Sequence, residues 1–411
     1  MGSGGRAEQS KHASGASEDK PSFRSHVAPL SLLAGIFFFN FLCRVSLGPL
    51  LPTIESDLGL GHGEAGSLFL LLSLGYCVSI TCSGFVSSRL GHRRTILVSS
   101  VAIGCALLLV VAARSLTGVR LGLILVGMAA GLYLPSGIAT LNGLVAPRDW
   151  GKAMAIHEVA PNLGFVAAPL LCELFLDLHS WRGALVLFGV ASAFVGLAFA
   201  RFGRGGDFPG EAPRLLTLRV LVAEPAFWIM IALFSLGIGV SLGIYTMLPL
   251  YLVAERGMEG GWANTLVALS RISGLGMAFV AGWASDRFGP RMAMGGVLAV
   301  TGGLTVMLGL APGTWVVALV FFQPLIAVCF FPAAFSALSR IGPSEVRNVA
   351  VSLTVPVSFL MGGGAIPAGI GLLGEAGAFS LAICLLGLVT MGSVWLLRYL
   401  TFGEPPARGV S

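Results

Sequence analysis

GFVSSRLGHRR at residues 84–94 and GWASDRFGPR at residues 282–291 are two copies of one basic turn, and their spacing decides the fold. Gly84, Arg89 and Gly91 of the first copy recur as Gly282, Arg287 and Gly289 of the second, each 198 residues further on. The correspondence continues outward from these turns. Pro52 and Pro249 each follow a leucine near the end of an apolar run, 197 residues apart. Pro135 in LYLPSGIATLNGL and Pro332 in CFFPAAFSALSRI are again 197 apart, and Pro161 and Pro356 are 195 apart. Breakers and basic turns that recur at nearly one offset mean that the chain is written twice. In membranes, two such halves pack face to face around a central path.

Composition places both halves in a bilayer. Hydrophobic residues make up 55% of the 411 and charged residues 11%, and the mean hydropathy is +0.89. A water-soluble exterior has too little room for that much apolar surface. Apolar stretches of about 20 residues, the length that crosses a hydrocarbon core, recur twelve times, near 29–51, 64–87, 94–113, 118–145, 153–176, 183–200, 225–252, 262–285, 292–311, 314–338, 346–372 and 377–397. The expected fold is an all-α membrane protein, with twelve transmembrane helices in two pseudo-symmetric six-helix bundles at 26–200 and 224–400. Residues 1–25, polar and rich in Gly and Ser, read as a disordered tail. Residues 201–223 read as a linker between the bundles and 401–411 as a second tail. All seven cysteines fall inside predicted spans without metal-ligand spacing, so they read as small packing residues.

Charge sets the expected orientation. With the N-terminus in the cytoplasm, 19 of the 25 Lys/Arg fall on the cytoplasmic side, as the positive-inside rule requires for an even number of spans. Both termini are then cytoplasmic, and the net charge of +6 calls for no nucleic-acid partner. The expected location is a bacterial inner membrane.

The turn GWASDRFGPR and its copy GFVSSRLGHRR resemble the loop signature of the major facilitator superfamily. With twelve spans, a central linker and a twofold repeat, the resemblance covers almost the whole chain. It implies a monomeric secondary transporter working by alternating access, with Gly84, Arg89, Gly91, Arg93, Gly282, Asp286, Arg287, Gly289 and Arg291 as gating or structural residues. Ser88 stands where the family expects Asp, which weakens the first copy as a lock. Subfamily likenesses diverge. NFLCRVSLGPLLP, from Asn40 to Pro52, resembles the first span of anion:cation symporters, with Cys43 where many of those have an acidic residue. Arg271 is similar to the substrate-binding arginine of oxalate:formate exchangers and monocarboxylate transporters. NLGFVAAP, from Asn162 to Pro169, looks like the span-five signature of drug:proton antiporters, with Ala168 replacing a glycine.

The residues themselves point to an anion. An ionisable group at the bilayer centre costs roughly 2.5–3.5 kcal/mol on insertion scales, so it is seldom accidental. Arg44 and Arg271 lie mid-span, one in each half. A guanidinium holds a carboxylate through its planar fork and stays charged at any relevant pH. Within the spans, Glu158 and His157 are the candidates for carrying a coupled proton, since a desolvated carboxyl or an imidazole can change charge near neutral pH. Adjacent on a helix, they point about 100° apart, so at most one faces a cavity squarely. Asn40, Tyr245, Asn162, Gln323, Tyr76 and Tyr133 are the polar candidates for touching cargo.

The sequence contains no phosphate-cradling loop, HExxH or nucleophile elbow, so neither an enzyme nor a cofactor or metal site is expected. The expected function is movement of a small organic anion, a mono- or dicarboxylate, by proton symport or exchange for a counter-anion. A proton-coupled efflux antiporter is the alternative.

Overall fold

The structure, a computed structural model, describes residues 23–211, 221–341 and 347–400. Most of the expected first tail, the linker residues 212–220 and the segment 401–411 lie outside the described residues.

The first half contains six helices. They are α1 (Phe23–Val45, then Leu47–Leu58), α2 (His62–Leu90), α3 (His92–Ala112), α4 (Leu116–Gly131, then Tyr133–Leu144), α5 (Trp150–Leu178) and α6 (Trp181–Phe202). The second repeats the pattern with α7 (Pro225–Ile238 and Ile244–Ala254 around a π-turn, Gly239–Gly243), α8 (Gly260–Ile272, then Gly274–Phe288) and α9 (Pro290–Leu310). It continues with α10 (Trp315–Ala327, then Phe330–Leu338), α11 (Arg347–Leu360 and Ile366–Glu375 around a π-turn, Met361–Ala365) and α12 (Phe379–Gly392, then Ser393–Tyr399). Eleven of these are long and apolar enough to cross a membrane. The expected span at 262–285 is helical too, over Gly260–Ile272 and Gly274–Phe288. It is interrupted at Ser273.

Prolines account for three of the interruptions. A proline removes one backbone donor and crowds the carbonyl one turn earlier. The breaks at Ser46, Leu132 and Cys329 each stand three residues before a proline: Pro49, Pro135 and Pro332. The last two breaks are 197 residues apart, so the repeat governs local backbone as well as sequence.

Small residues set how the helices lie together. α3 packs along α6 at Gly104 and Gly189, where a Cβ on Gly104 would stand 2.6 Å from the Gly189 carbonyl oxygen. α9 packs along α12 at Gly302 and Gly387 in the same way, with 2.7 Å to the Gly387 oxygen. Both glycines of the second pair are 198 residues beyond those of the first. The tightest contact joins α2 to α4, where a Cβ on Gly127 would overlap the Leu72 carbonyl and stand 2.8 Å from the Tyr76 nitrogen. Backbone cannot yield as a flexible side-chain tip can. Gly127→Ala is expected to lower the thermal unfolding midpoint of the purified protein by on the order of 5 °C or more. Gly276→Ala, with nothing within 4 Å of its built Cβ, is the comparator and should stay near wild type.

The basic turns have one backbone in both copies. Gly91 (φ 78, ψ 158) and Gly289 (φ 81, ψ 153) link α2 to α3 and α8 to α9 in a conformation open to glycine. The arginine two residues later closes a helix end in each half. Arg93 donates to the carbonyls of Ala200 (3.1 Å) and Gly203 (2.9 Å) at the end of α6. Arg291 donates to the Leu400 carbonyl at the end of α12. Arg89, Asp286 and Arg287 are exposed, so the helix-end fastening seen here belongs to Arg93 and Arg291. Linker residues join the first turn: His92 N donates to the Phe208 carbonyl, Arg93 N to that of Gly206, and Gly210 N to that of Ser87.

The buried apolar residues reveal which state this is. Away from the basic turns they form one continuous core drawn from both halves, including Leu50, Leu68, Tyr245 and Leu250. Toward the basic turns they divide into two cores, one built on Leu33, Tyr133 and Phe199, the other on Phe234, Leu298 and Phe330. The halves are joined at the opposite end and part at the basic end.

Candidate functional site

Arg44 and Arg271 stand where the two halves meet, near the middle of the bundle. Arg44 is buried, 7% exposed, just before the α1 break that Pro49 imposes. Its guanidinium carbon lies 4.3 Å from the centroid of the Tyr76 ring and 5.3 Å from that of Phe41. Its Nε is buried without a hydrogen-bond partner. It lines a cavity with Ser73 and Tyr76 of its own half and Leu242, Thr246, Phe359 and Gly363 of the other. The lining holds no carboxylate. The cavity volume is about 20 Å³, room for little more than one water, so anything larger enters only as the walls move apart.

The rings explain how a charge rests there. A desolvated cation–π contact contributes up to about 2 kcal/mol, so two of them are comparable with the roughly 2.5–3.5 kcal/mol cost of placing an arginine mid-membrane. Arg44 is thus held by ring faces and by the Tyr76 hydroxyl, and its buried Nε is left for an incoming acceptor.

Arg271 is built differently. It closes the first segment of α8, with its guanidinium carbon 4.6 Å from the Phe165 ring and 4.8 Å from the Tyr245 ring. One Nη donates to the Ser241 carbonyl at 2.8 Å. Ser241 belongs to the π-turn of α7, where the wider winding frees carbonyls from their usual partners. Gln323 donates to the next such carbonyl, Val240, at 2.7 Å and to Thr305 Oγ1 at 3.2 Å. Arg271 and Gln323 therefore fasten the widened turn, and Arg271 keeps a buried Nε without a partner.

Aromatic rings link the two arginines. Phe41, against Arg44, meets Phe165 edge to face at 4.8 Å, and Phe165 meets Tyr245 at 4.8 Å. Tyr245 donates from its hydroxyl to the Phe165 carbonyl at 3.1 Å, across the halves. The π-turn lies between them, since Ser241 accepts from Arg271 while Leu242 lines the Arg44 cavity.

The remaining predicted residues separate into several places. Tyr76 and Tyr245 belong to the arginine cluster. Asn40 donates to the Ala130 carbonyl at 3.0 Å and ties α1 to α4, and Gln323 serves the π-turn. Tyr133 and His157 lie inside the first half, where the His157 ring stacks on Phe37 at 4.4 Å. The Tyr133 hydroxyl donates to the Leu33 carbonyl at 2.8 Å and lies 3.1 Å from His157 Nε2. Glu158 faces away from that core with its side chain 52% exposed, Oε1 3.5 Å from His157 Nδ1. It is seven residues before Phe165 and so on the same face of α5, looking toward the parted basic end. Asn162 donates to the Glu158 carbonyl at 2.8 Å on that helix. Sequence reasoning missed Phe165 and the π-turn. An aromatic in an apolar span carries no mark of the cation it holds.

A larger apolar groove, about 570 Å³, runs between α2, α3 and α4 past Cys82, Cys105 and Met128. It lies on the outward face of the first half, apart from both arginines.

The family model of the Major Facilitator Superfamily matches residues 33–367. A probable sulfoacetate transporter of Cupriavidus necator is 22% identical over 69% of this chain and 69% of its own length. A multidrug transporter of that superfamily from Aspergillus fumigatus is 22% identical over 73% of this chain and 57% of its own length. The first curated relatives matched are spanned over 66% of their length. Among solved structures, a bacterial homolog of the human lysosomal transporter Spinster, inward-facing and unoccupied, superposes with a TM-score of 0.74 at 16% identity, covering 92% of this chain and 96% of the other.

Proposed function

The chain belongs to the major facilitator superfamily, and from that premise we propose that it carries a small organic anion, a mono- or dicarboxylate or a sulfonate, across the inner membrane by alternating access. The observation that carries the proposal is Arg44: a buried cation at the junction of the halves, held by ring faces, in a cavity lined without a carboxylate. A guanidinium so held offers its fork to one anionic group, and the Ser73 and Tyr76 hydroxyls beside it can serve the remaining lone pairs. Arg271, already donating to Ser241, adds positive potential across the aromatic bridge. The sulfoacetate relative is consistent with this chemistry.

The expected cycle follows from the core. The state described here is parted at the basic end, which the positive-inside rule assigns to the cytoplasm together with both termini. Cargo bound between Arg44 and the π-turn draws that end together while the opposite end opens. Both halves contribute to the site within one chain, so a monomer suffices. For symport, Glu158 is the proton carrier on the cytoplasmic approach. His157 stands behind it. Tyr133 spends its hydroxyl proton on Leu33, so His157 Nε2 must donate to Tyr133 oxygen, and the Nδ1 facing Glu158 is then the position that a proton between the two would fill. Exchange for a counter-anion needs no such proton.

A second reading is proton-coupled efflux of amphipathic compounds. The fungal multidrug relative favours it, as does the run 162–169, whose Gly164 and Ala168 pack α5 within the first half. Counterflow in proteoliposomes distinguishes the two. Vesicles preloaded with short carboxylates or sulfonates should accelerate entry of the same labelled anion at least tenfold over empty ones. Acceleration by lipophilic cations alone would replace the anion reading with the efflux reading.

A further inference from the structure

Two carboxylates outside the arginine cluster occupy matching places at the end opposite the basic turns. Glu375, the last residue of α11, reaches the first turn of α2, where its Oε2 accepts from Gly63 N at 3.0 Å. A Cβ on Gly63 would stand 2.6 Å from that oxygen. Glu173, near the end of α5, lies over the first turn of α8, where a Cβ on Gly261 would stand 2.8 Å from its Oε1. Its Oε2 accepts from Asn264 Nδ2 at 2.7 Å, and the same amide lies 3.3 Å from the Pro49 carbonyl of α1. Gly63 and Gly261 are 198 residues apart, the offset of the basic turns. α5 and α11 are likewise counterparts in the repeat. Each half therefore lays one carboxylate on the opening turn of the other half's second helix. The first N–H groups of a helix have no acceptor within it, and the helix dipole favours negative charge there. Neighbouring ion pairs, Glu55 with His62, Asp57 with Arg182 and Glu64 with Arg120, all stay within the first half.

We propose that Glu173 and Glu375 are a pair of pseudo-symmetric latches that hold the opposite end closed, and that their charges set the resting preference for the state parted at the basic end. They are positioning residues and touch no cargo. Glu173 is half-buried and bears more of the load. Glu375 is exposed, and water screens its contribution. The inference rests on the fold alone, so it stands or falls separately from the anion reading.

The test is a distance measurement without cargo. Spin labels are placed at Arg114→Cys and Thr314→Cys, on exposed turns of the two halves at that end, in full-length protein with Cys77, Cys82 and Cys105 replaced by serine, in proteoliposomes. The parent should give one short distance. Glu173→Gln keeps the side chain's size and one acceptor oxygen but removes the charge. It should add a longer distance, raising the open-to-closed ratio about tenfold, or about 1.4 kcal/mol. Glu375→Gln should raise the ratio a few-fold, and the double variant should exceed either. If a glutamine variant fails to fold, Gly261→Ala, whose new Cβ displaces the Glu173 carboxylate, should reproduce the longer distance. An unchanged distribution in the folded double variant, or in Gly261→Ala, would overturn the proposal.

Discussion

Arg44→Gln is expected to cut transport severely, reducing counterflow of the best anionic substrate by roughly thirtyfold or more in vesicles that retain folded protein. The magnitude follows from what the residue does in the empty protein and what it gains on loading. Its charge rests on the Tyr76 and Phe41 ring faces at 4.3 and 5.3 Å, and no carboxylate lines its cavity. Removing it leaves the protein little worse packed, and thermal stability should hold or rise. A loaded anion loses its charged partner in a desolvated site, and truncating one member of such a pair typically costs about 2–5 kcal/mol, from tens-fold to thousands-fold in affinity. Arg44→Lys separates charge from geometry. Lysine keeps the cation but not the planar fork, so its activity should fall between wild type and Arg44→Gln. Wild-type flux in Arg44→Gln would place the anion elsewhere.

Gly371→Val should stop transport by a different route, leaving binding in place. A Cβ on Gly371 would overlap the His62 carbonyl and stand 3.1 Å from the Gly66 Cα, where α11 crosses α2 between the halves. Both neighbours are backbone, so the closed arrangement of that end cannot absorb a valine without separating the helices. Overpacking of this kind costs typically 1–3 kcal/mol or more. It falls on one state of the cycle only. The opposite end is propped open, and counterflow should drop tenfold to a hundredfold while anion-dependent stabilisation persists. Gly369→Val is the control, since nothing lies within 4 Å of a Cβ built there. Equal flux in the two variants would mean that closure at α2–α11 is not required.

Much of this architecture is written in residues that interrupt. Prolines and basic turns stand out from apolar runs, so Pro135 and Pro332 announce the repeat before any coordinates do, and the breaks three residues ahead follow from proline's effect on the preceding turn. The glycine pairs Gly104–Gly189 and Gly302–Gly387 obey the same offset yet remain unread among 57 glycines, because only the packing shows which of them meet a neighbouring backbone.

The site divides in the same way. Arg44 and Arg271 are conspicuous because charge inside a membrane is costly. Phe41, one turn before Arg44, follows from helical spacing. Tyr76 and Phe165 arrive from other helices; Tyr76 is legible as a polar group within a span, whereas no local pattern foretells Phe165. The 100° rule anticipates that His157 and Glu158 part company. It does not say which turns inward, and the stack of His157 on Phe37 decides that. Among the turn residues expected to be gating or structural, Arg93 and Arg291 fasten helix ends, reaching those of α6 and α12 because those helices stop beside the turns.

The most direct test of the central claim is ligand-dependent thermal stabilisation of purified wild type, Arg44→Gln and Arg271→Gln by short carboxylates and sulfonates. A ligand raises the unfolding midpoint according to its concentration relative to its dissociation constant, so recognition can be read before any direction of flux is known. Stabilisation by anions in the wild type, weakened in Arg271→Gln and absent in folded Arg44→Gln, is the predicted result. Full stabilisation of Arg44→Gln by those same anions would contradict it.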